Sequence, residues 1–144
     1  MGAVAYVDGS YNIRTRHFSY GIVFFTGAVD SEGNRQELHF SKEFDHPELA
    51  EMRNVAGEIM GAAEAMKMAD KLSIKELTIY HDYEGISKWC TGEWKAKKIW
   101  TQKYRDFYRN ISKNVNISFV KVKGHSNDKY NDLADALAKK AVGN

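Results

Sequence analysis

The sequence predicts an α/β domain in which helices flank a mixed β-sheet. Three strand-like segments come first, at 3–8, 18–26 and 35–43, and short links join them. A segment with helical spacing follows at 54–71, after which strand-like and helical segments alternate to residue 144. Successive strands with short links favour an antiparallel meander, so the first three strands are predicted to pair in that way.

Each of the first three strands has its own signal. Residues 3–8 (AVAYVD) form an apolar run that stops at Asp8, and its length and Val and Tyr content favour a strand. Residues 18–26 read as a second strand, and 27–34 contain the turn formers Gly, Asp, Ser and Asn. Residues 35–43 alternate between polar and apolar side chains, which predicts a third strand.

The period of the pattern changes after Pro47, which marks a loop. Apolar residues then recur at helical spacing between 54 and 71, on one face made of Val55, Ile59, Ala62, Ala63, Met66 and Ala69. The remaining segments are a strand at 76–81, helices at 84–90 and 97–112, a strand at 116–123 and a helix at 131–142. The predicted order is therefore βββ-α-β-α-α-β-α.

Length and composition exclude several classes of protein. The 144 residues suit one compact core, so we expect a single domain over 1–144, and we expect a monomer. Cys90 is the one cysteine, which excludes an internal disulfide and a cysteine-based zinc site. No apolar run approaches the ~20 residues that span a bilayer. The N-terminus shows no secretory signal, so the expected location is the cytoplasm, with no membrane partner.

The net charge of +2 conceals an uneven distribution. Residues 1–93 carry 9 Lys and Arg against 15 Asp and Glu, whereas residues 94–144 carry 12 against 4. The basic residues are densest at 94–110 (WKAKKIWTQKYRDFYRN). Such asymmetry indicates a polyanionic partner, although a solvated helix face would also explain it.

Four carboxylates stand out, each with a structural alternative. Asp8 and Asp82 end predicted strands, where open α/β sheets place their sites, but a turn residue or a helix N-cap fits equally. Glu58 falls within the apolar arc of its helix, where a charge requires a metal ion or a Lys or Arg partner. Asp135 flanks an apolar stripe, and its alternative is an ion pair with Lys139.

The joint placement of these carboxylates is more informative than any one of them. Two lie at strand ends and two on helices expected to pack on the sheet, so the four would repel one another if they converged. Hard cations such as Mg²⁺ or Mn²⁺ would relieve that repulsion, because they prefer oxygen ligands. Two such ions stabilise the attacking and leaving oxygens of phosphoryl transfer, which makes this chemistry the functional hypothesis.

The chain resembles the type 1 ribonucleases H of bacterial type over essentially its whole length. The matching segments are YVDGS (6–10), RNVAGEI (53–59), IYHDYEGI (79–86), VKGHSND (122–128) and NDLADALAKKA (131–141). Several motifs in one order make a specific match. The resemblance implies a ribonuclease H-like five-stranded sheet of order 3-2-1-4-5 with strands 1–3 antiparallel. Some relatives add a small hybrid-binding domain, and we expect none within 1–144.

The resemblance also implies an activity and its residues. The family hydrolyses the RNA strand of RNA/DNA hybrids with two Mg²⁺ ions, for which Mn²⁺ can substitute, leaving 3′-hydroxyl and 5′-phosphate ends. By position, the metal ligands and catalytic carboxylates would be Asp8, Glu58, Asp82 and Asp135, with Asp8 bridging both ions. His125 would assist proton transfer and product release, a role that suits a group titrating near neutral pH.

Contacts with the hybrid follow from the same resemblance. The candidates are Gly9, Ser10, Asn12, Arg53, Asn54, Trp89, Trp94, Lys95, Lys97, Lys98 and Asn131. Contacts to the 2′-hydroxyl distinguish RNA from DNA, and the lysines would neutralise phosphates. Arg53 departs from the family, since some relatives have a Thr there in a DNA-phosphate pocket. Trp89 has core packing as its alternative role.

Three further functions are compatible with this fold. They are a non-catalytic hybrid-binding module, a nuclease domain cut from a larger polymerase, and another metal-dependent phosphoryl-transfer enzyme such as a transposase. All four carboxylates are present, which argues against the binding module.

Overall fold

A computed structural model describes residues 2–123 and 128–144. In chain order the elements are β1 (Ala3–Tyr11), β2 (Phe18–Val29), β3 (Arg35–Phe44), a 3-10 turn (Leu49–Met52), α1 (Asn54–Lys71), β4 (Glu76–His81), α2 (Gly85–Thr91), α3 (Ile99–Ile111), β5 (Asn116–Lys121) and α4 (Lys129–Ala141). This is the predicted order of strands and helices, with the 3-10 turn as an unpredicted addition.

The five strands form one sheet of order β3-β2-β1-β4-β5, as the resemblance implied. The pairs β1–β2 and β2–β3 are antiparallel, and the pairs β1–β4 and β4–β5 are parallel. Parallel neighbours need a helical crossover, which α1 supplies before β4 and α2 with α3 supply before β5. The predicted mixed sheet is therefore confirmed.

Helices cover both faces of the sheet. On one face, Ala3, Ala5 and Val7 of β1 are buried in the main core together with the apolar side of α1. On the other face, α4 packs on β2 and β1. Its Ala134 is buried in a smaller cluster with Val23 and Phe25. The strand β1 thus lies at the centre of the molecule, between the two helices that carry Glu58 and Asp135.

The structure corrects the predicted end of β1. The strand does not stop at Asp8 but continues to Tyr11, because the residues from Asp8 onward pair with β2. The parallel ladder with β4 does stop early, at the pair Tyr6–Tyr80. Asp8 is therefore a strand residue that lies beyond the parallel ladder. The Asp-Gly-Ser sequence suggested a turn, and the antiparallel pairing with β2 overrides that local preference.

Other boundaries differ by one to three residues. The helix α4 begins at Lys129 instead of 131, since the side chain of Asp128 accepts hydrogen bonds from the backbone N–H groups of Tyr130 and Asn131. The strand β5 ends at Lys121 instead of 123.

In the described part of the chain, none of the helices has the length and hydropathy that a membrane span requires.

Candidate active site

The sheet register brings Asp8 and Asp82 to the same level. Tyr6 and Tyr80 form the last pair of the parallel ladder, and each carboxylate lies two residues beyond its member of that pair. Asp82 directly follows β4 and is exposed, whereas Asp8 is 8% exposed. Asp82 is not a helix N-cap, because Glu84 takes that position before α2. This register places the two carboxylates at the same level of the sheet, although only Asp82 follows the end of its strand.

Two glycines bring α1 onto the sheet at this level. A Cβ at Gly57 would overlap the carbonyl oxygen of Ser19 in β2, and one at Gly9 would overlap the carbonyl oxygen of Asn54. The helix backbone therefore lies directly on the backbones of β1 and β2, an approach that only residues without a side chain permit. As a result Glu58, the residue after Gly57, is held at the sheet and is 2% exposed.

Backbone amides hold the Glu58 carboxylate in place. Its Oε1 accepts hydrogen bonds from the N–H groups of Asp82 at 2.7 Å and Tyr83 at 3.0 Å. No ion pair of the described residues includes Glu58, so the alternative of a Lys or Arg partner does not apply there. Burial and, to a smaller extent, the charge of Asp82 raise the pKa of Glu58 to about 7, and the two amides limit that rise.

A third glycine positions α4. Gly21 pairs with Asp8 across the antiparallel ladder, and a Cβ at Gly21 would overlap the carbonyl oxygen of Ala134. The next residue along α4 is Asp135. Its Oδ2 forms an ion pair with Nζ of Lys139 at 2.9 Å, so the predicted structural alternative is present as well.

Asp8 lies where the negative charge converges. Burial, the charge of Glu58 and hydrogen bonding with Asp135 together raise the pKa of Asp8 to about 8, and the N–H of Gly9 at 2.9 Å acts in the opposite direction. The carboxyl group of Asp8 on β1 is therefore affected directly by Glu58 of α1 and by Asp135 of α4. Buried like charges are costly unless a cation compensates them, and an all-oxygen donor set is the type that Mg²⁺ and Mn²⁺ prefer.

These carboxylates do not form a ready-made metal site. Among residues 2–123 and 128–144, no group of three Asp, Glu, His or Cys side chains is arranged to hold one ion. Oε1 of Glu58 is bonded to two backbone amides, and Oδ2 of Asp135 is paired with Lys139. The donor set fits a divalent cation in its chemistry, and a bound ion would compete with those protein partners.

Polar candidates for substrate contact line a cleft of about 500 Å³ that also contains Asp135. Arg53 and Asn54 are exposed. Ser10 is 7% exposed, and its Oγ accepts a hydrogen bond from Nδ2 of Asn144 at 2.9 Å. The candidates in this cleft are Gly9, Ser10, Asn12, Arg53 and Asn54.

Two further predicted contacts, Asn12 and Asn131, are also buried. Asn12 is 5% exposed; its Nδ2 donates to the carbonyl of Val142, and its Oδ1 accepts from the N–H groups of Arg14 and Thr15. Asn131 is also buried, and its Oδ1 has no hydrogen-bond partner among the described residues. The side chain of Asn12 is thus occupied within the protein, and a direct contact of that side chain with substrate would require those bonds to break.

The lysine candidates lie together at a second cleft of about 340 Å³. Lys95, Lys97 and Lys98 line it with Trp89, whose 8% exposure agrees with the alternative of core packing. Trp94 is not in that lining; its ring lies 6.0 Å from that of Trp89.

Arg53 adopts an unusual backbone conformation at the start of α1. Its φ of 55° and ψ of −131° are rare for a residue with a side chain, and such conformations cost about 1–3 kcal/mol. Its guanidinium lies 5.3 Å from the ring centroid of Tyr11. The sequence does not predict this conformation, because a positive φ is usually indicated by a glycine and this position has an arginine.

His125 lies outside the described residues, so its predicted role has no structural test. Asn144 was not predicted as a neighbour of a candidate residue, and Lys139 was predicted only as the pairing partner of Asp135. The contact between Asn144 and Ser10 has no sequence signal, because it depends on how the end of α4 approaches β1.

Comparison with known proteins gives consistent results. The family model described as RNase H matches residues 2–143. A curated Ribonuclease H of Wolbachia pipientis is 37% identical over 62 residues, which covers 41% of this chain and 43% of that protein. The matched part thus spans less than half the length of this curated relative.

Solved structures share the fold at low sequence identity. RNase H1 from the halophilic archaeon Halobacterium salinarum superposes with a TM-score of 0.78 at 19% identity, covering 99% of this chain and 98% of that one. LC11 RNase H1, isolated from compost by a metagenomic approach and solved in complex with an RNA/DNA hybrid, gives 0.69 at 20% identity, covering 97% and 99%.

Proposed function

The chain belongs to the type 1 RNase H family, and we propose that it hydrolyses the RNA strand of RNA/DNA hybrids endonucleolytically, leaving 3′-hydroxyl and 5′-phosphate ends. One observation carries the proposal: α1 and α4 bring Glu58 and Asp135 close enough to Asp8 of β1 to raise its pKa, at the level of Asp82. The hybrid bound to LC11 RNase H1, a protein of the same fold, supports the substrate class.

The cofactor in this proposal is a pair of Mg²⁺ ions, with Mn²⁺ as a substitute. Asp8, Glu58, Asp82 and Asp135 would hold them, since these side chains supply the oxygen ligands that such ions prefer. When bound, divalent ions stabilise charge on the attacking and leaving oxygens of a phosphodiester. Asp8 contributes a carboxylate already crowded by like charges, and Glu58 contributes one whose orientation two backbone amides fix.

The remaining residues bind and orient the substrate in this proposal. Ser10 and Asn54 lie in the cleft with Asp135, where 2′-hydroxyl groups of the RNA strand would be read. Lys95, Lys97 and Lys98 would neutralise phosphates at the second cleft. His125 would move a proton during the reaction, as the family resemblance implies. The monomeric state, the cytoplasmic location and the single-domain organisation stay predictions.

A non-catalytic hybrid-binding module is the second candidate. Two observations favour it: the ion pair between Asp135 and Lys139, and the lack of a three-ligand group among the described residues. The module and the nuclease differ in one outcome, which is whether bound hybrid is cut.

Cleavage of a labelled RNA/DNA hybrid tests the proposal, with Mg²⁺, Mn²⁺ or EDTA and with duplex RNA, duplex DNA and single strands in parallel. We expect metal-dependent cutting of the RNA strand alone. Asp8→Asn should lower the rate by more than about a hundredfold, the scale of losing a charge at the reacting centre, while hybrid binding in Ca²⁺ persists.

Asp132→Asn is the matched control, because Asp132 is an exposed carboxylate on α4 three residues from Asp135. It should cut at the wild-type rate. Binding of the hybrid without cutting in either metal would refute the nuclease and favour the binding module.

A further inference from the structure

The turn between β1 and β2 carries two arginines, Arg14 and Arg16, which are both exposed. Arg14 lines the same cleft as Asp135, together with Arg53 and Lys139. That cleft therefore holds three cationic side chains and one carboxylate, and the carboxylate is already paired with Lys139. Within the described ranges, no ion pair includes Arg14 or Arg53. The cleft thus has cationic groups available for an anion.

Asn12 fixes the conformation of this turn. Its Oδ1 accepts the N–H of Arg14 at 2.9 Å and of Thr15 at 3.3 Å, and its carbonyl accepts the N–H of Arg16 at 2.7 Å. Its Nδ2 donates to the carbonyl of Val142 at 2.7 Å, which ties the turn to the end of α4. A cation on an anchored turn loses less conformational entropy on binding than one on a mobile loop.

Arg16 differs from Arg14 in its surroundings. It lines a neighbouring cleft with Asp45, Glu51 and Arg53, so that cleft holds two carboxylates and two cations. Two exposed arginines of one turn therefore line clefts of different charge balance, three cations to one carboxylate for Arg14 and two to two for Arg16. Comparing variants of the two arginines can therefore distinguish a specific contact from a general effect of net charge.

The start of α1 lies between the cleft of Arg14 and the lysine cleft. Arg53 and Asn54 line the first, and Met52 and Val55 line the second. A duplex that lies across the start of α1 would therefore meet cationic groups on both sides of it.

We propose that Arg14 binds a backbone phosphate of the hybrid in the cleft of Asp135, on the other side of the start of α1 from Lys95, Lys97 and Lys98, and that Asn12 is the positioning residue that holds it there. This inference rests on the proposed function, since the hybrid is the ligand. Arginine suits the task because its planar guanidinium forms two parallel hydrogen bonds to phosphate.

The test compares Arg14→Gln with Arg16→Gln, which remove the same charge from the same turn. The dissociation constant of a fluorescent RNA/DNA hybrid is measured in Ca²⁺ by anisotropy, from about 50 to about 250 mM KCl. Arg14→Gln should weaken binding about tenfold and reduce the salt slope by about one, as expected for the loss of one phosphate contact. Arg16→Gln should match the wild type within about twofold, and thermal unfolding of each variant checks that the turn is intact.

The outcomes are distinguishable. If the wild type cuts the hybrid and both variants keep its affinity and salt slope, the role of Arg14 is wrong and the proposed function stands. Equal weakening in both variants also refutes a specific contact, since it indicates general attraction. A wild type that neither binds nor cuts the hybrid overturns both proposals.

Discussion

At the scale of single residues, the buried carboxyl group of Asp8 makes the stability of the metal-free protein depend on pH. The residue is buried, and its pKa is raised to about 8 by burial and by the charges of its neighbours. A carboxyl group whose pKa is higher in the folded protein than in the unfolded chain binds more protons when folded. The free energy of unfolding therefore decreases as the pH rises between the two values. For Asp8 this interval runs from 3.8 to about 8, and for Glu58 from 4.5 to about 7.

We accordingly expect the metal-free protein to be more stable at pH 5 than at pH 8. With EDTA present, the free energy of unfolding should fall by up to about 6 kcal/mol from pH 5 to pH 8, since each group contributes about 1.4 kcal/mol per pH unit inside its interval, and Tm should fall by about ten degrees or more. In Asp8→Asn this part of the pH dependence should be smaller, and at pH 8 the variant should unfold at a higher temperature than the wild type. Calorimetry across this pH range measures both effects. Parallel profiles for the two proteins would show that Asp8 is not a site of crowded charge.

The sequence predicts which residues could form the site better than it predicts their contacts. Glu58 is an acidic residue within the apolar arc of its helix, and the structure buries it against the sheet. Its partners, the amides of Asp82 and Tyr83, could not be predicted, because they belong to a segment 24 and 25 residues away. Asn12 illustrates the opposite case. It was a contact candidate by position, whereas the structure uses its side chain inside the turn.

At the scale of elements, the site depends on how closely two helices approach the sheet. Gly57 and Gly21 mark the contacts of α1 and α4, where backbone lies on backbone. The ranges of α1 and β4 matched the sequence prediction residue for residue, since their periodic patterns are strong. The end of β1 did not match, because pairing with β2 extends it through a sequence typical of a turn. Local patterns thus predict which elements exist, and tertiary contacts decide where they end.

Substitution of Gly57 by Ala tests the close approach of α1. The added Cβ would meet the backbone of β2, which cannot move aside as a side chain can. We expect a loss of about 2–3 kcal/mol in the free energy of unfolding, despite the better helix propensity of Ala, and a fall in hybrid cleavage because Glu58 moves with the helix.

Gly61→Ala is the matched control in the same helix. It gains the same helix propensity, but its Cβ would meet the Cβ of Tyr20 at 3.0 Å, a tight contact that a shift of a few tenths of an ångström relieves, whereas the Cβ at Gly57 would overlap backbone. Denaturant titration of both variants gives the comparison. If the two lose stability equally, the backbone contact at Gly57 is not what positions α1.

At the scale of the whole molecule, acidic and basic residues are unevenly divided along the chain. Three of the four candidate carboxylates belong to the acidic residues 1–93, and the lysine cleft belongs to the basic residues 94–144. The sequence predicted this division of charge. It did not predict that the start of α1 would separate two basic clefts, since that arrangement depends on the packing of α1 between β1 and α3.

The salt dependence of binding tests this division across the molecule. Each phosphate that a lysine neutralises releases a counterion, so the triple variant of Lys95, Lys97 and Lys98 to Gln should flatten the slope of log affinity against log salt by about two to three. A matched triple of exposed lysines is available at the opposite end of the sheet, before β4 and β5 and at the end of α1, and comprises Lys71, Lys75 and Lys113. It removes the same net charge. Because these lysines lie away from the lysine cleft, their loss should lower affinity only slightly and leave the slope unchanged. Equal slopes in the two triples would mean that the hybrid responds to net charge alone, and the lysine cleft would then not be its path.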